Sequence, residues 1–186
     1  MDNQRYAGGN ELLDAQYLLK DILEIPFGSH VADLGCGSMG YFVLQAAKLV
    51  GDKGRVYACD ILKDVLSAVS GKARQEGLIN VKTVWTNLEI VGATKIDEPL
   101  DYAFLINTLF QSTKHAEILA EAARLLKPEG KLLVVEWRAS SGPIGPAADL
   151  RIAKETIEDL AQAAGLAKIK DFEAGTSHYG LIFQKP

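Results

Sequence analysis

Three glycines and two aspartates have the spacing of a loop that binds a nucleoside. Gly35, Gly37 and Gly40 satisfy the pattern G-x-G-x-x-G, and Asp60 follows 20 residues after Gly40. Glycines allow the backbone to approach a ligand closely, and a carboxylate at a strand tip can accept two hydrogen bonds from ribose hydroxyls. Asp33 adds a second carboxylate just before the first glycine. The pattern therefore predicts a nucleoside site.

The charge of Asp33 separates two classes of nucleoside ligand. A dinucleotide would place its anionic pyrophosphate on the loop, where the Asp33 carboxylate would oppose it. S-Adenosyl-L-methionine carries no phosphate, and its ammonium and sulfonium groups complement a carboxylate. A dehydrogenase also normally adds a substrate region to its dinucleotide half, for which 186 residues leave no room. We therefore expect S-adenosyl-L-methionine as cofactor and S-adenosyl-L-homocysteine as product, with a dinucleotide oxidoreductase as a minor alternative.

The elements that position this loop alternate along the chain between strands and helices. Strands that are apolar on both faces, separated by helices, indicate a parallel sheet between helical layers. The predicted strands are residues 29–34, 55–61, 81–86, 101–107 and 131–137, and the predicted helices are residues 11–25, 41–50, 63–76, 112–126 and 153–164.

The last part of the chain breaks this alternation. Residues 167–173 and 179–184 both have strand character, and only a short segment ending at His178 separates them. So short a connection permits an antiparallel hairpin and excludes a parallel crossover. The sequence therefore predicts one α/β domain that ends in a hairpin.

Four segments together resemble the class I S-adenosylmethionine-dependent methyltransferases, and the resemblance covers essentially the whole chain. Residues 31–40 resemble the first motif of that family, 56–60 the second, 101–108 the fourth-strand motif and 125–136 the entry to the fifth strand. The resemblance implies a Rossmann-like three-layer sandwich with helices on both faces of a seven-stranded, mostly parallel sheet of order 3-2-1-4-5-7-6, with strand 7 antiparallel. Residues 1–186 would form a single domain, divided into an N-terminal lid or helix at 1–28 and a core at 29–186.

The same resemblance implies the residues that contact the cofactor. Asp33 would lie at the methionine end, Asp60 at the ribose, Ile61 against the adenine and Asn107 under the methionine portion. Asn87 stands where many members place an acid, and its side-chain carbonyl can accept the same hydrogen bond from the adenine amino group. The whole expected set is Asp33, Gly35, Cys36, Gly37, Gly40, Asp60, Ile61, Asn87, Leu88 and Asn107.

Residues at the tips of the fourth and fifth strands are the candidates for contact with the methyl acceptor, because ligands of such sheets bind at the carboxyl edge. These candidates are Asn107, Thr108, Phe110, Glu136, Trp137 and Arg138, with Tyr6 as part of a lid. Methyl transfer from a sulfonium needs mainly alignment of the reactants, so we assign no general base, and we expect no metal site.

Several of these candidates also have structural interpretations. Glu136 and Arg138 can form an ion pair, Trp137 can belong to the core, and Tyr6 can belong to an unstructured tail. His178 falls in the predicted hairpin turn, which can lie away from the acceptor, so a structural role is favoured for it over that of a base.

Composition limits the class of partner. The net charge is −4 with a pI near 5.4, which disfavours nucleic acid and anionic membranes as partners. We find no signal peptide and no apolar run long enough to span a bilayer, so the cytoplasm is the expected compartment.

The substrate is expected to be a small organic molecule, because the family branch that the chain most resembles is the small-molecule branch related to quinone-biosynthesis methyltransferases. Methylation of protein or RNA, and a non-catalytic cofactor-binding subunit, are the alternatives. The chain is also compatible with a homodimer.

Overall fold

The computed structural model describes residues 12–139, 142 and 144–186. Its centre is a seven-stranded sheet of order β3-β2-β1-β4-β5-β7-β6, which confirms the predicted fold class. The strands are β1 (His30–Leu34), β2 (Arg55–Asp60), β3 (Val81–Trp85), β4 (Leu100–Ile106), β5 (Leu126–Trp137), β6 (Ala167–Ala174) and β7 (His178–Gln184). The first five strands run parallel, and β7 is antiparallel to both β5 and β6.

Helices cover both faces of the sheet. They are an N-terminal helix (Tyr17–Ile22), α1 (Tyr41–Val50), α2 (Lys63–Gln75), α3 (His115–Leu125) and α4 (Lys154–Ala163). The N-terminal helix, α1 and α2 contribute to the apolar cluster on one face, whereas α3 and α4 contribute to the cluster on the other. Because β1 and β4 are buried on both faces, their sequences are almost continuously apolar.

Two helices differ from their predicted extents by more than one residue at an end. The N-terminal helix has the wider π-type turn, in which the Leu23 N–H donates to the Leu18 carbonyl, and it is shorter than the predicted 11–25. Helix α3 begins at His115 rather than at residue 112, because the Ser112 hydroxyl accepts a hydrogen bond from the Lys114 N–H in the preceding turn. None of the helices in the described part of the chain is long and apolar enough to cross a lipid bilayer.

One edge of the sheet collects the carboxyl ends of β1, β2, β4 and β5. Strand β4 makes its last pair with β5 at Ile106 and Val135, but β5 and β7 remain paired for two more positions, up to Trp137 and His178. Because each strand residue adds about 3.3 Å, the β5–β7 pair rises about 7 Å above the tip of β4. The edge is therefore bounded on one side by this extension.

Candidate active site

The loop between β1 and α1 is held in place by its own backbone. The N–H groups of Gly35 and Cys36 both donate to the Cys59 carbonyl, over 2.9 and 3.0 Å. Gly35 has a φ of +90°, and a Cβ at this position would lie 2.7 Å from the Thr108 methyl carbon. Gly37 also has a positive φ, of +64°, but no atom lies within 4 Å of where its Cβ would be. Gly35 is therefore required for packing, whereas Gly37 borders open space.

Asp60 joins this loop to the start of α2. Its Oδ2 accepts a hydrogen bond from the Gly37 N–H over 3.2 Å, and its Oδ1 accepts one from the Leu62 N–H over 2.9 Å. Each oxygen retains a further lone pair. The carboxylate is thus fixed at the tip of β2 with acceptor capacity to spare, as ribose hydroxyls would require.

Asp33 is a buried carboxylate with an unsatisfied oxygen. Its side chain is 2% exposed, and its Oδ2 has no hydrogen-bond partner among the described residues. Burial, and then the nearby charge of Asp60, raises the pKa of Asp33 to about 7. A buried polar atom without a partner is costly. A ligand cation beside Asp33 would give Oδ2 a partner and would offset the electrostatic cost of burying the carboxylate.

The residues expected at the adenine end lie at the tips of β2 and β3. Ile61 is 52% exposed, and its carbonyl accepts a hydrogen bond from Trp85 Nε1 over 2.8 Å. The Asn87 Oδ1 accepts a hydrogen bond from the Glu89 N–H over 2.9 Å, while Leu88 is buried. The Asn87 oxygen therefore has one lone pair, not two, left for a ligand.

The turn after β4 contains a strained residue. Asn107 has a φ of +53°, is 2% exposed and donates its N–H to the Val135 carbonyl over 2.9 Å. A non-glycine residue in this conformation persists only where its surroundings hold it. The hydroxyl of Thr108 lies 3.2 Å from the Leu34 carbonyl, so this turn contacts the tip of β1. Phe110 is only 5% exposed and packs in the interior.

Glu136 holds this turn from the neighbouring strand. Its Oε1 accepts hydrogen bonds from the N–H groups of Thr108 and Leu109, over 2.9 and 2.6 Å. Burial raises the pKa of Glu136 to about 8, although these backbone hydrogen bonds oppose the rise. The interpretation of Glu136 and Arg138 as an ion pair is wrong, because the Arg138 guanidinium pairs with Glu173 instead.

Trp137 and His178 pack together at the end of the β5–β7 extension. Their ring centroids are 4.1 Å apart, and both side chains are almost fully buried. The prediction that His178 lies in the hairpin turn is wrong. It begins β7 opposite Trp137 because the antiparallel pairing brings the start of β7 to the carboxyl edge.

One arginine that the sequence does not single out organises the loop after β5. The Arg151 guanidinium lies within hydrogen-bond distance of five backbone carbonyls, those of Arg138, Ala139, Gly142, Ile144 and Pro146. No local pattern announces this role, because the contacts depend on how the loop folds back on itself. Tyr6, the predicted lid residue, lies outside the described residues.

Metal-ligand geometry is absent from the part of the chain that the structure describes: no three His, Cys, Asp or Glu side chains there are grouped to hold a metal ion. Cys36 and Cys59 are both buried free thiols. Burial and the nearby Asp33 and Asp60 carboxylates raise the pKa of the Cys36 thiol far above its usual range. The thiols therefore remain protonated and pack as small apolar groups.

Comparison with known protein families identifies the family of this chain. A family model described as a methyltransferase domain matches residues 27–178. This chain belongs to that methyltransferase family. The resemblance to class I S-adenosylmethionine-dependent methyltransferases related to quinone-biosynthesis enzymes is thereby confirmed.

Curated relatives of this methyltransferase domain carry quinone-biosynthesis names. It is 34% identical over 114 residues to the ubiquinone/menaquinone biosynthesis C-methyltransferase UbiE of Vibrio vulnificus, an alignment that covers 59% of this chain and 42% of that protein. It is 35% identical over 111 residues to the protein of the same name from a Shewanella species, covering 59% and 43%. The chain thus spans less than half the length of these curated relatives.

Solved structures share the fold of this methyltransferase domain. A S-adenosylmethionine-dependent methyltransferase from Aquifex aeolicus has a TM-score of 0.84 at 24% identity, covering 97% of this chain and 94% of that one. The [4+2]-cyclase SpnF has a TM-score of 0.73 at 19% identity, covering 90% and 80%. Because a cyclase shares the architecture, these likenesses show the fold alone.

Proposed function

We propose that this methyltransferase domain binds S-adenosyl-L-methionine at the carboxyl edge of the sheet and transfers its methyl group to a small organic acceptor. The observation that carries the proposal is Asp33, whose buried and unpartnered Oδ2 lies beside a glycine loop. An oxygen in this position is suited to a cation and unsuited to a pyrophosphate. The charge of the site therefore favours a sulfonium cofactor over a dinucleotide.

The residues at the edge fit the parts of this cofactor. Asp33 would bind the ammonium group, and Asp60 would accept hydrogen bonds from the ribose hydroxyls. Ile61 would pack on the adenine, and Asn107 would lie under the methionine portion. When bound, the sulfonium supplies an electrophilic methyl group. The open space beside Gly37 leaves room for the ligand to contact the loop backbone.

The chain's own contribution is orientation and exclusion of water. Glu136 holds the turn that follows β4, and the β5–β7 extension bounds the edge on the acceptor side. Well-oriented reactions gain about 7–11 kcal/mol from alignment alone. A displacement at a sulfonium therefore proceeds without a general base unless the acceptor must lose a proton first.

We propose a reduced, hydroxylated aromatic ring as the first acceptor to test. The curated relatives are named as C-methyltransferases of ubiquinone and menaquinone biosynthesis. A ring carbon would attack an electrophilic methyl group only when ring hydroxyls donate electron density to it, so a hydroquinone is suitable and the oxidised quinone is not. The methyl carbon would leave the sulfur, which departs as the neutral thioether S-adenosyl-L-homocysteine, and the ring carbon would then lose its proton to water. The net charge of −4 also favours such a molecule over RNA.

Calorimetric titration tests the cofactor. We expect S-adenosylmethionine and S-adenosylhomocysteine to bind with micromolar affinity, and NAD not to bind. The variant Asp33→Asn should lose most of this affinity, whereas Asp52→Asn, an exposed aspartate in the turn before β2, should retain it. Absence of adenosyl binding by the folded protein would overturn the proposal.

Transfer of a radiolabelled methyl group to 1,4-naphthohydroquinone, kept reduced under nitrogen, tests the acceptor class. Labelled ring product that requires Asp33 supports a small-molecule methyltransferase. Tight cofactor binding without transfer to this ring or to related phenols and amines would instead support a non-catalytic cofactor-binding subunit.

A further inference from the structure

Trp137 and His178 occupy the highest position on the β5–β7 extension. They are Cα partners, and they follow the last pair between β4 and β5, formed by Ile106 and Val135. Both rings therefore lie beyond the end of β4, about 7 Å further along the strand direction. A molecule bound over the carboxyl ends of the strands would therefore contact the sheet at these two rings.

The pair faces the same side of the sheet as Asp33. Side chains alternate along a strand, so Trp137 shares a face with Val135 and Asp33 shares a face with Val31. Val31 and Val135 belong to one apolar cluster. By the strand register, Trp137 lies about 10 Å from Asp33 across the strands and about 13 Å further along them, and His178 lies one strand beyond Trp137. An acceptor at the pair would therefore lie over the same face of the sheet as a cofactor held by Asp33.

One nitrogen on each ring of this pair lacks a hydrogen-bond partner among the described residues. Trp137 is 2% exposed and His178 is 1% exposed. Neither Trp137 Nε1 nor His178 Nε2 has a hydrogen-bond partner among the described residues. Buried polar side chains are nearly always hydrogen-bonded, so two exceptions on rings 4.1 Å apart require an explanation that packing does not supply.

We propose that Trp137 and His178 together bind a hydroxyl group of the methyl acceptor, an inference that rests on the proposed function. The indole N–H is only a donor, whereas an imidazole nitrogen accepts or donates according to its tautomer. A hydroxyl group both accepts and donates, so it satisfies both nitrogens at once. A methyl ether can only accept and leaves the imidazole acceptor unpaired.

The charges around His178 keep its ring neutral. Burial, and then the positive charge of Arg138, lowers the pKa of His178 to about 4. The Arg138 Nε donates to the His178 carbonyl over 2.9 Å, and the guanidinium is paired with Glu173 on β6. At neutral pH the imidazole therefore retains one nitrogen with a free lone pair, as the proposed hydrogen bond requires.

The loop after β5 closes this position. A Cβ on Gly145 would lie 2.5 Å from Trp137 Cε3, so the loop backbone packs directly on the indole. Arg151, which binds the carbonyls of this loop, fixes it there. Both side chains are almost fully buried, so binding of a hydroxyl group there requires a local rearrangement around the pair.

Two aromatic probes that differ in one methyl group test the pair. Calorimetry on protein saturated with S-adenosylhomocysteine measures the affinity for 1-naphthol and for 1-methoxynaphthalene. We expect the wild-type chain to prefer the naphthol by at least about tenfold. His178→Phe and Trp137→Phe should each bring this ratio close to one, while His178→Gln, which keeps a polar group, should retain part of it.

His30→Phe is the matched control, because His30 begins β1 at the opposite edge of the sheet and is engaged with Glu98. Its naphthol preference should equal that of the wild type. Equal wild-type affinities for the two probes, no wild-type binding of naphthol, or an unchanged preference in both phenylalanine variants would overturn the inference. Thermal unfolding shows that each variant is folded. The S-adenosylhomocysteine titration itself reports separately on the proposed function.

Discussion

The Oε1 of Glu136 lies 2.6 Å from the amide nitrogen of Leu109, which connects the tip of β5 to the turn after β4. The same oxygen accepts a hydrogen bond from the Thr108 N–H, and the Thr108 side chain packs against Gly35 in the glycine loop. One carboxylate at the tip of β5 thus positions the turn on which the proposed cofactor loop rests. A residue with no expected contact to the cofactor should therefore influence its binding.

Removing this carboxylate should weaken both the fold and cofactor binding. Glu136→Ala leaves the buried N–H of Leu109 and the partly buried N–H of Thr108 without an acceptor, which we expect to cost about 2–4 kcal/mol in the free energy of unfolding. The affinity for S-adenosylhomocysteine should fall with it. Glu136→Gln keeps an oxygen acceptor for Thr108 and Leu109 and should restore the affinity. Chemical denaturation and calorimetry measure the two effects.

The difference in melting temperature between Glu136→Gln and the wild type should depend on pH. The folded pKa of about 8 lies above the usual 4.5, so the contribution of this group to stability is lost as pH rises from about 4.5 through 8. The glutamine variant should therefore gain in relative melting temperature between pH 5 and pH 8. Glu117→Ala, an exposed position on α3, should show no such trend. A pH-independent difference for Glu136→Gln would show that the carboxyl group ionises normally.

Asp33 should make cofactor affinity rise with pH. Its folded pKa of about 7 lies above the usual 3.8, so the ligand-free protein should lose stability as pH rises from about 4 to about 7. A ligand ammonium pairs only with the ionised carboxylate, so S-adenosylhomocysteine should bind several-fold more tightly at pH 8 than at pH 6. Titrations at both pH values measure this, and Asp33→Asn should abolish the difference. Equal wild-type affinities would argue against contact between Asp33 and the ammonium.

The space beside Gly37 should be ligand space. Gly37 and Gly77 have similar positive φ angles, of +64° and +70°, and at neither position does an atom lie within 4 Å of where a Cβ would be. Alanine at either position should cost about 1–2 kcal/mol in unfolding free energy, because both backbones are left-handed. Only Gly37→Ala should also weaken S-adenosylhomocysteine binding, by tenfold or more in calorimetry. Equal binding by the two variants would remove Gly37 from the cofactor site.

The loop clamped by Arg151 should matter more for the acceptor than for the cofactor. Arg151→Lys replaces five donors by three, which cannot reach all five carbonyls. We expect about 1–2 kcal/mol of lost stability and a several-fold fall in naphthol affinity, with S-adenosylhomocysteine affinity nearly unchanged. Arg74→Lys, an exposed position on α2, serves as control. A fall in cofactor affinity as large as the fall in naphthol affinity would show that the loop does not act mainly on the acceptor.

The extents of most elements could be predicted because their signals are local. The helix Tyr41–Val50 has its predicted bounds, β2 and β3 end one residue early, and β4 is shifted by one residue. Strand β5 has its predicted end but begins at Leu126, five residues before the predicted start. The antiparallel hairpin follows from a connection too short for a crossover. The start of α3 was less predictable, because Ser112 bonds to the next turn rather than capping the helix.

The sequence by itself determined the fold class, the glycine loop and the two carboxylates that flank it, because backbone freedom, strand alternation and charge are encoded over a few neighbouring residues. Only the tertiary structure decided how the tips of β4, β5 and β7, the proposed acceptor side, are built. It joined Glu136 to the turn after β4, separated it from Arg138, and brought His178 to Trp137. These contacts link residues far apart in the chain, and they depend on strand register and on which edge each strand end reaches, neither of which a local pattern records.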